Sequence, residues 1–181
     1  MKKYIYLFAF VSVSLFLASC EDDSLDPLPT KDIGQFMKLD LQYRQFDANN
    51  INNTFIGGTL SNPSNTVVRY ELFVRRTNAA GVLTGDYVPL VTINSFPHEL
   101  RITPAQIATA LGLTVNDLQA GDFYRFIAYS YNANGVKAGY TNLARILQIS
   151  EAVEQGYRFN TELSLLPKPL DQLPVYDNRQ I

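Results

Sequence analysis

The sequence predicts an all-β chain in which two sheets pack against each other, with one short helical insertion. Apolar and polar residues alternate in six or seven segments, which is the pattern of strands with one buried face. Short clusters rich in Asn, Gly, Pro and Ser separate these segments and are typical of tight turns. Because a single sheet of that size would leave an apolar face in water, the strands imply a two-sheet sandwich.

Length and composition favour one globular domain and exclude several classes of protein. The chain has 181 residues, of which 46% are hydrophobic and 18% charged, with a net charge of −2. This near-neutral balance argues against a nucleic-acid binder, which normally carries a basic surplus. A single Cys excludes a disulfide framework, and a single His leaves little for a metal cluster. We therefore expect no metal and no cofactor.

Residues 1–19 have the pattern of a secretory signal peptide. Lys2 and Lys3 precede a mostly apolar, uncharged run over residues 4–17. That run is shorter than the roughly 20 residues that a membrane-spanning helix needs. The alternative interpretation is a buried N-terminal helix.

The end of this run resembles the lipobox of bacterial lipoproteins, in the segment Leu17-Ala18-Ser19-Cys20. In that family the Cys thiol is alkylated by diacylglycerol and becomes the new N-terminus. The resemblance implies lipidation at Cys20 and attachment to the outer membrane, because two or three acyl chains anchor a protein stably. Cleavage would remove two Lys and no acid, and would leave the mature chain with a net charge of −4.

Residues 20–33 are predicted to be an acidic tether. The stretch Glu21-Asp22-Asp23 with Asp26 resembles the surface-export signal of lipoproteins in the glycan-degrading Gram-negative group. It is also typical of a solvated linker, and the two interpretations are compatible. The resemblance implies a lipid-anchored protein on the cell surface.

Four strands are predicted in the first half of the mature domain, over residues 35–43, 54–60, 66–77 and 87–94. The expected inward side chains are Met37, Leu39, Leu41 and Tyr43 in the first strand and Val68, Tyr70, Leu72 and Val74 in the third. The pair Gly57-Gly58 in the second strand indicates a bulge or a close backbone approach. Residues 78–81 have the composition of a hairpin turn.

One helical insertion is predicted after these strands. Thr103 can cap a helix, Pro104 suits its first position, and Gly112 is placed to end it. Residues 114–117 indicate a second, very short capped turn.

Two strands are predicted after the insertion, over residues 122–131 and 143–149, joined through a turn at Asn134-Gly135. The prolines at 167, 169 and 174 predict an extended rather than helical tail over residues 156–181. We therefore assign the sandwich to residues 34–155.

The segment Leu118-Gln119-Ala120-Gly121-Asp122-Phe123-Tyr124 resembles a motif of fibronectin type III and related immunoglobulin-like domains, with Ala120 in place of a proline. The resemblance implies an immunoglobulin-like sandwich in which Tyr124 is the tyrosine-corner residue, its hydroxyl bonded to upstream backbone. Residues 68–76 are similar to that family's third strand, and residues 141–146 to its last strand. The chain departs from the family in having no Trp and in the insertion at 103–117.

The chain resembles the SusE-type accessory lipoproteins of starch-utilisation systems in the combination of its lipobox, its acidic tether, its predicted sandwich and its helical insertion. The resemblance implies a binding or scaffolding role beside a TonB-dependent importer that takes up glycans, and no catalysis. A free-standing glycan-binding lipoprotein and a structural subunit of an envelope assembly remain alternatives.

The residues themselves nominate no catalytic or metal site. There is no Gly-x-Ser-x-Gly motif, His98 stands alone, and no Asp-x-Asp-x-Asp loop exists for calcium. Nothing in the spacing of the acids selects a pair for glycoside hydrolysis. We therefore expect the chain not to be an enzyme.

One face of the predicted sheet is the candidate binding surface. Period two places aromatic residues and arginines on the side of strands 66–77 and 122–131 that faces away from the core. The candidate residues are Arg69, Phe73, Arg75, Phe123, Arg125, Ile127, Tyr129 and Tyr131. Rings interleaved with Arg are favoured at protein interfaces. The alternatives are a glycan on this face, or coverage by the inserted helix or the tail.

Overall fold

The computed structural model describes residues 34–165, and strands dominate this part of the chain. Strands make up 43% of it and helices 19%, which confirms the prediction of a β-rich fold; besides the predicted insertion, the chain has further short helices near residues 145–155. The signal peptide, Cys20, the tether and residues 166–181 lie outside the described residues.

The strands, in chain order, are β1 (Lys38–Tyr43), β2 (Phe46–Asp47), β3 (Ile56–Ser61), β4 (Val67–Thr77), β5 (Val88–Ile93), β6 (His98–Ile102), β7 (Phe123–Asn132), β8 (Lys137–Gly139) and β9 (Arg158–Ser164). The helices are α1 (Pro104–Ala110), α2 (Arg145–Gln148) and α3 (Glu151–Gln155), with short 3₁₀ turns at Ala48–Asn50, Val115–Asp117 and Tyr140–Asn142.

The strands form two sheets. Three strands pair antiparallel in the order β1-β3-β6, and the larger sheet has the order β2-β9-β7-β4-β5. Strand β8 also pairs with β7, along Tyr129–Tyr131, while β9 occupies the same edge of β7 along Phe123–Ile127. The pair β2–β9 is parallel and the other pairs are antiparallel.

Residues from both sheets form one hydrophobic core. Leu39, Leu60 and Ile102 of the smaller sheet belong to the same buried cluster as Leu72 and Phe126 of the larger sheet. Burial of these apolar side chains is the main term that stabilises the fold. The alternation of β4 and β7 sends every second side chain into this core and leaves the others on the opposite face.

Two glycines of β3 allow its neighbours to approach closely. A Cβ at Gly57 would collide with the backbone carbonyl of Leu100 in β6, and one at Gly58 with that of Asp40 in β1. The predicted close approach is confirmed, and it keeps β3 at the centre of the three-stranded sheet.

The helical insertion forms as predicted. Thr103 and Gln106 make a reciprocal capping box at the start of α1, and Gly112 has a positive φ of 70° just after its end. Ile107 and Ala108 of α1 are buried in the core, and the helix packs against β5. Thr114 and Asp117 make a second capping box, and these hydrogen bonds lower the pKa of the Asp117 carboxyl.

A buried charge network precedes β7. The fully buried carboxylate of Asp122 lies 2.7 Å from an Arg76 nitrogen and accepts hydrogen bonds from the backbone nitrogens of Ala79 and Gln119. The hydroxyl of Tyr124 also donates to Asp122, at 3.3 Å. Tyr124 is buried as the resemblance implies, but its acceptor is this carboxylate rather than the upstream backbone.

Two predicted inward side chains are instead exposed, and irregular pairing explains both. The pairing of β4 with β7 shifts between Val67 and Arg69, so Val67 is buried and Val68 is 48% exposed. The pairing of β1 with β3 shifts between Leu41 and Tyr43, which leaves Tyr43 37% exposed.

The strand predicted over residues 143–149 is wrong. This segment is helical in α2, and its residues Ile146 and Ile149 are 72% and 73% exposed. The Gln148 side chain donates to the carbonyl oxygens of Tyr140 and Leu143, so these backbone groups need no sheet partner.

Residues 158–164 take the place beside β7 that the resemblance assigned to residues 141–146. In β9, buried Phe159, Thr161 and Leu163 alternate with exposed neighbours. The first part of the segment assigned to the extended tail is therefore a strand of the larger sheet.

Candidate functional site

All eight candidate residues lie on one face of the six-stranded sheet, which we call the aromatic face. It comprises Arg69, Phe73, Arg75, Phe123, Arg125, Ile127, Tyr129 and Tyr131. Cross-strand register places Arg69 opposite Tyr131 and Phe73 opposite Ile127. Arg69 and Arg125 are exposed and the others are half-buried.

A cation lies over most of the rings on this side of the sheet. Within the face, the Arg69 guanidinium lies 4.2 Å from the Tyr131 ring centroid and that of Arg125 lies 5.7 Å from Phe123. Neighbouring residues extend the pattern in three further pairs. These are Arg75 over Tyr87 at 4.5 Å, Lys137 over Tyr129 at 3.5 Å and Arg158 over Tyr140 at 3.6 Å. Such contacts hold long cationic side chains against the sheet.

At one end of the face, the charges neutralise each other. Arg69 Nε lies 3.2 Å from a Glu71 oxygen, and the Tyr131 hydroxyl donates to the other Glu71 oxygen at 3.0 Å. Partial desolvation and the carboxylate of Glu71 raise the pKa of Tyr131. This corner of the face is internally satisfied.

At the other end, two arginines lie side by side without an acid. Arg75 and Arg125 are direct cross-strand partners. Within residues 34–165 neither forms an ion pair, whereas Arg44, Arg69, Arg76 and Arg158 do. Arg75 Nε is buried and has no hydrogen-bond partner among the described residues. Like charges placed directly opposite each other in a sheet are destabilising.

Arg125, but not Arg75, lines an open groove with a volume of about 970 Å³. Its lining includes Tyr87, Phe123, Arg125 and Ile127 of this side of the sheet. Polar side chains of β9 and α3 complete it, among them Glu154, Arg158, Asn160 and Glu162. The groove can therefore offer hydrogen-bond donors and acceptors beside two rings.

Several of these residues were not predicted from sequence. Asn160 and Glu162 lie on the outer face of β9, opposite Arg125 and Phe123 of β7. Their signal was the alternation of polar residues with Phe159, Thr161 and Leu163. Tyr87 and Lys137 were missed because their proximity to the face depends on strand pairing rather than on local pattern.

The inserted helix and the C-terminal tail were the two segments of the chain expected to be able to cover the aromatic face. Helix α1 packs against β5 and buries Ile107 and Ala108 in the core. The C-terminal part of the tail, residues 166–181, lies outside the described region.

In the part of the chain that the structure describes, no group of three or more His, Cys, Asp or Glu residues could hold a metal ion. In the same region, no helix is long and apolar enough to cross a membrane.

Comparisons of the chain with protein families, with curated proteins and with solved structures find no match.

Proposed function

We propose that this chain is a lipid-anchored, non-catalytic binding subunit that docks a protein partner through the aromatic face. The observation that carries the proposal is this face itself, where five rings and three arginines of the sheet and its neighbours lie together on one side. Arg and aromatic residues are enriched at the energetic centres of protein interfaces.

The occupied ring faces favour a protein over a sugar. A sugar that stacks on an aromatic residue needs a free ring face. Here Tyr87, Tyr129 and Tyr131 each have a guanidinium or ammonium group within 4.5 Å of the ring centroid. The apolar pair Phe73 and Ile127 lies between these cations, as in the apolar centre and polar rim of an interface.

We further propose that the fold is an immunoglobulin-like sandwich. The order β1-β3-β6 in one sheet and β5-β4-β7-β9 in the other supports this assignment, because it is the arrangement of a seven-stranded immunoglobulin-type sandwich. On this assignment the last strand is divided into β8 and β9, and residues 140–157 are inserted between them.

The proposed location is the outer membrane, with the lipid on Cys20 and the domain at the cell surface. Support comes from the lipobox-like segment ending at Cys20 and the acidic stretch that follows it. A TonB-dependent importer or another outer-membrane protein is the proposed partner, on the resemblance described above.

A glycan-binding role is the second candidate function. The groove of about 970 Å³ favours it, because Tyr87 and Phe123 line the groove together with the polar side chains of Asn160 and Glu162. A glycan ligand would contact this end of the aromatic face rather than its apolar centre.

The docking proposal is tested by Ile127→Asp in the full chain, with co-purification from detergent-solubilised outer membrane as the measurement. If Ile127 contacts a partner, a charge there should abolish co-purification while thermal stability changes little. Ile146→Asp introduces the same charge at an exposed residue of α2 and should leave both unchanged. A stable Ile127→Asp variant that still co-purifies its partner would show that the face is not the interface.

The anchor is tested separately by Cys20→Ala. Loss of the thiol removes the lipidation site, so the variant should leave the detergent phase in a phase-partition experiment. Equal membrane retention of the variant and the wild type would contradict lipid anchoring.

A further inference from the structure

Arg75 and Arg125 form a like-charge pair, which is electrostatically unfavourable. The arginines Arg69, Arg76 and Arg158 of the same sheet each form an ion pair instead. Arg75 and Arg125 are direct partners on neighbouring strands, where the Cβ atoms of opposite residues lie about 5 Å apart. Glu162 is the acid on the adjacent pair of β7 and β9, and it forms no ion pair with either arginine within the described chain. Among residues 34–165, no acid forms an ion pair with either arginine.

A carboxylate from outside the domain would replace the repulsion between the two arginines with attraction to both. Guanidinium groups on two neighbouring strands, one over Tyr87 and the other over Phe123, can both donate to a carboxylate placed between them, and such charge-assisted hydrogen bonds are strong. Arg75 Nε is buried and has no partner in residues 34–165, so an outside carboxylate would contact the terminal guanidinium nitrogens of Arg75 instead. The Tyr87 and Phe123 rings beside the guanidinium groups displace water, which strengthens an added ionic contact.

A second cation lies further along the same face. Lys137 Nζ is 3.5 Å from the Tyr129 ring centroid and makes no ion pair in the described part of the chain. Tyr129 is four residues beyond Arg125 on β7, which corresponds to about 13 Å along a strand. The apolar residues Ile127 and Phe73 lie between the two cationic positions.

We propose that the aromatic face binds an extended acidic segment of the partner protein, with acids at two positions four residues apart and an apolar residue midway. In an extended peptide, side chains on one face recur every second residue, at about 6.6 Å. The first acid would meet Arg75 and Arg125, the apolar side chain would meet Phe73 and Ile127, and the second acid would meet Lys137. This inference rests on the proposed protein-docking function and specifies the chemistry of the partner.

Charge complementarity favours an acidic peptide over an acidic glycan. The cations near Arg125 and Tyr129, with the apolar pair between them, follow the direction of β7 at a spacing that matches the alternation of a peptide. An acidic sugar polymer offers no aliphatic side chain for Phe73 and Ile127. The ring faces that a sugar would need are adjacent to cations.

The test uses the full-length chain in detergent and a fluorescent seven-residue probe peptide. The peptide carries Glu, Leu and Glu at its second, fourth and sixth positions and Gly elsewhere, and fluorescence anisotropy measures binding at low salt. Arg75→Gln and Arg125→Gln should each weaken binding about tenfold. Arg101→Gln is the matched control, because Arg101 also lies over a ring, Phe55, but on β6 of the other sheet.

Three further probes identify the occupant. A peptide with Gln in place of Glu should bind at least tenfold more weakly, and a peptide with Leu replaced by Ser should also lose affinity. An oligogalacturonate of similar charge should bind more weakly than the acidic peptide. Tighter binding of the sugar would overturn the peptide assignment in favour of an acidic glycan.

Two other outcomes would overturn the proposal. Absence of binding by the acidic peptide, or equal weakening by Arg101→Gln and Arg125→Gln, would show that the arginine pair is not a specific carboxylate site. Co-purification of the partner by the Ile127→Asp variant distinguishes failure of the carboxylate site from failure of the docking function. If Ile127→Asp abolishes co-purification but Arg75→Gln with Arg125→Gln does not, the docking face stands and the carboxylate site falls.

Discussion

Two buried tyrosines of the larger sheet differ in what their hydroxyls contact. Tyr124 donates to the Asp122 carboxylate, while the Tyr70 hydroxyl is buried without a hydrogen-bond partner in residues 34–165. Both rings are almost fully buried in the core. Since a hydroxyl removed from water costs free energy unless it is hydrogen-bonded, deleting the two hydroxyls should have opposite effects on stability.

Tyr124→Phe should lower the free energy of unfolding by about 1 kcal/mol, because one buried hydrogen bond is lost. Tyr129→Phe is the control, since Tyr129 lies on the aromatic face and its ring contacts Phe73 and Lys137. That variant should change stability much less. Urea unfolding measures both, and the reverse ranking would contradict the inward orientation of Tyr124.

Tyr70→Phe should raise the free energy of unfolding by about 1 kcal/mol, because an unsatisfied buried hydroxyl is removed while the ring remains. Tyr157→Phe is the matched control, since the Tyr157 hydroxyl lies 2.8 Å from Ser130 Oγ and its loss should destabilise. Both changes are measured by urea unfolding under the same conditions. Destabilisation by both variants would indicate that Tyr70 has a partner.

At the scale of elements, the pairing of β4 with β7 decides the charge pattern of the aromatic face. The register places Arg75 against Arg125, and it places Glu71 against Tyr129 beside the Arg69–Tyr131 pair. One end of the strand pair is therefore neutralised and the other is not. A shift of one residue would send these side chains into the core, so burial of Leu72 and Phe126 holds the register.

Arg125→Glu should stabilise the isolated protein by about 0.5 kcal/mol, because an opposite-charge pair replaces a like-charge pair across the strands. The same change should abolish binding of the acidic probe peptide. Arg101→Glu is the control, since it removes a guanidinium over Phe55 without relieving any like-charge pair. Thermal unfolding at low and high salt is the measurement, and a loss of stability in Arg125→Glu at low salt would contradict the repulsion argument.

Two segments of the chain could pair with the free edge of β7, and tertiary packing decides which of them does. Residues 143–149 have an apolar content compatible with a strand, yet they form α2 and β9 pairs with β7 instead. Leu163, Phe159 and Thr161 all bury their side chains in that position, whereas Ile146 and Ile149 remain exposed. The segment that buries more apolar surface against the core takes the edge.

At the scale of the whole molecule, buried tyrosines should make stability sensitive to alkaline pH. Burial raises the pKa of Tyr70, Tyr124 and Tyr157 above the ordinary value of 10.0. Above about pH 10 the unfolded chain therefore loses tyrosine protons that the folded chain keeps. The contribution of these groups to stability is complete below pH 10 and is lost as the pH rises beyond it.

We expect the free energy of unfolding to fall between pH 10 and pH 11, by up to about 1 kcal/mol for each buried tyrosine. Tyr70→Phe should show a smaller fall, because it removes one of these titrating groups. Urea midpoints at pH 8, 9, 10 and 11 measure the effect. Parallel curves for the variant and the wild type over this range would contradict a raised pKa for Tyr70.

Local patterns in the sequence determined the β-rich class, the hairpin turns, the capped helix α1 and the side chains that share the aromatic face. Each depends on residues close together in the chain, since strand alternation and capping have periods of two and about three residues. The structure places all eight predicted face residues on one side of the sheet. Their role in binding stays a prediction.

Only the tertiary structure decided which segments meet. The exposure of Val68, the place of β9 beside β7, the Arg76–Asp122 pair and the opposition of Arg75 to Arg125 all depend on partners distant in sequence. Strands pair so that they bury a shared core, and this pairing determines which residues become neighbours. A local sequence pattern does not specify which strand another strand will contact. The charge frustration on the aromatic face is therefore a property of the fold rather than of any one segment.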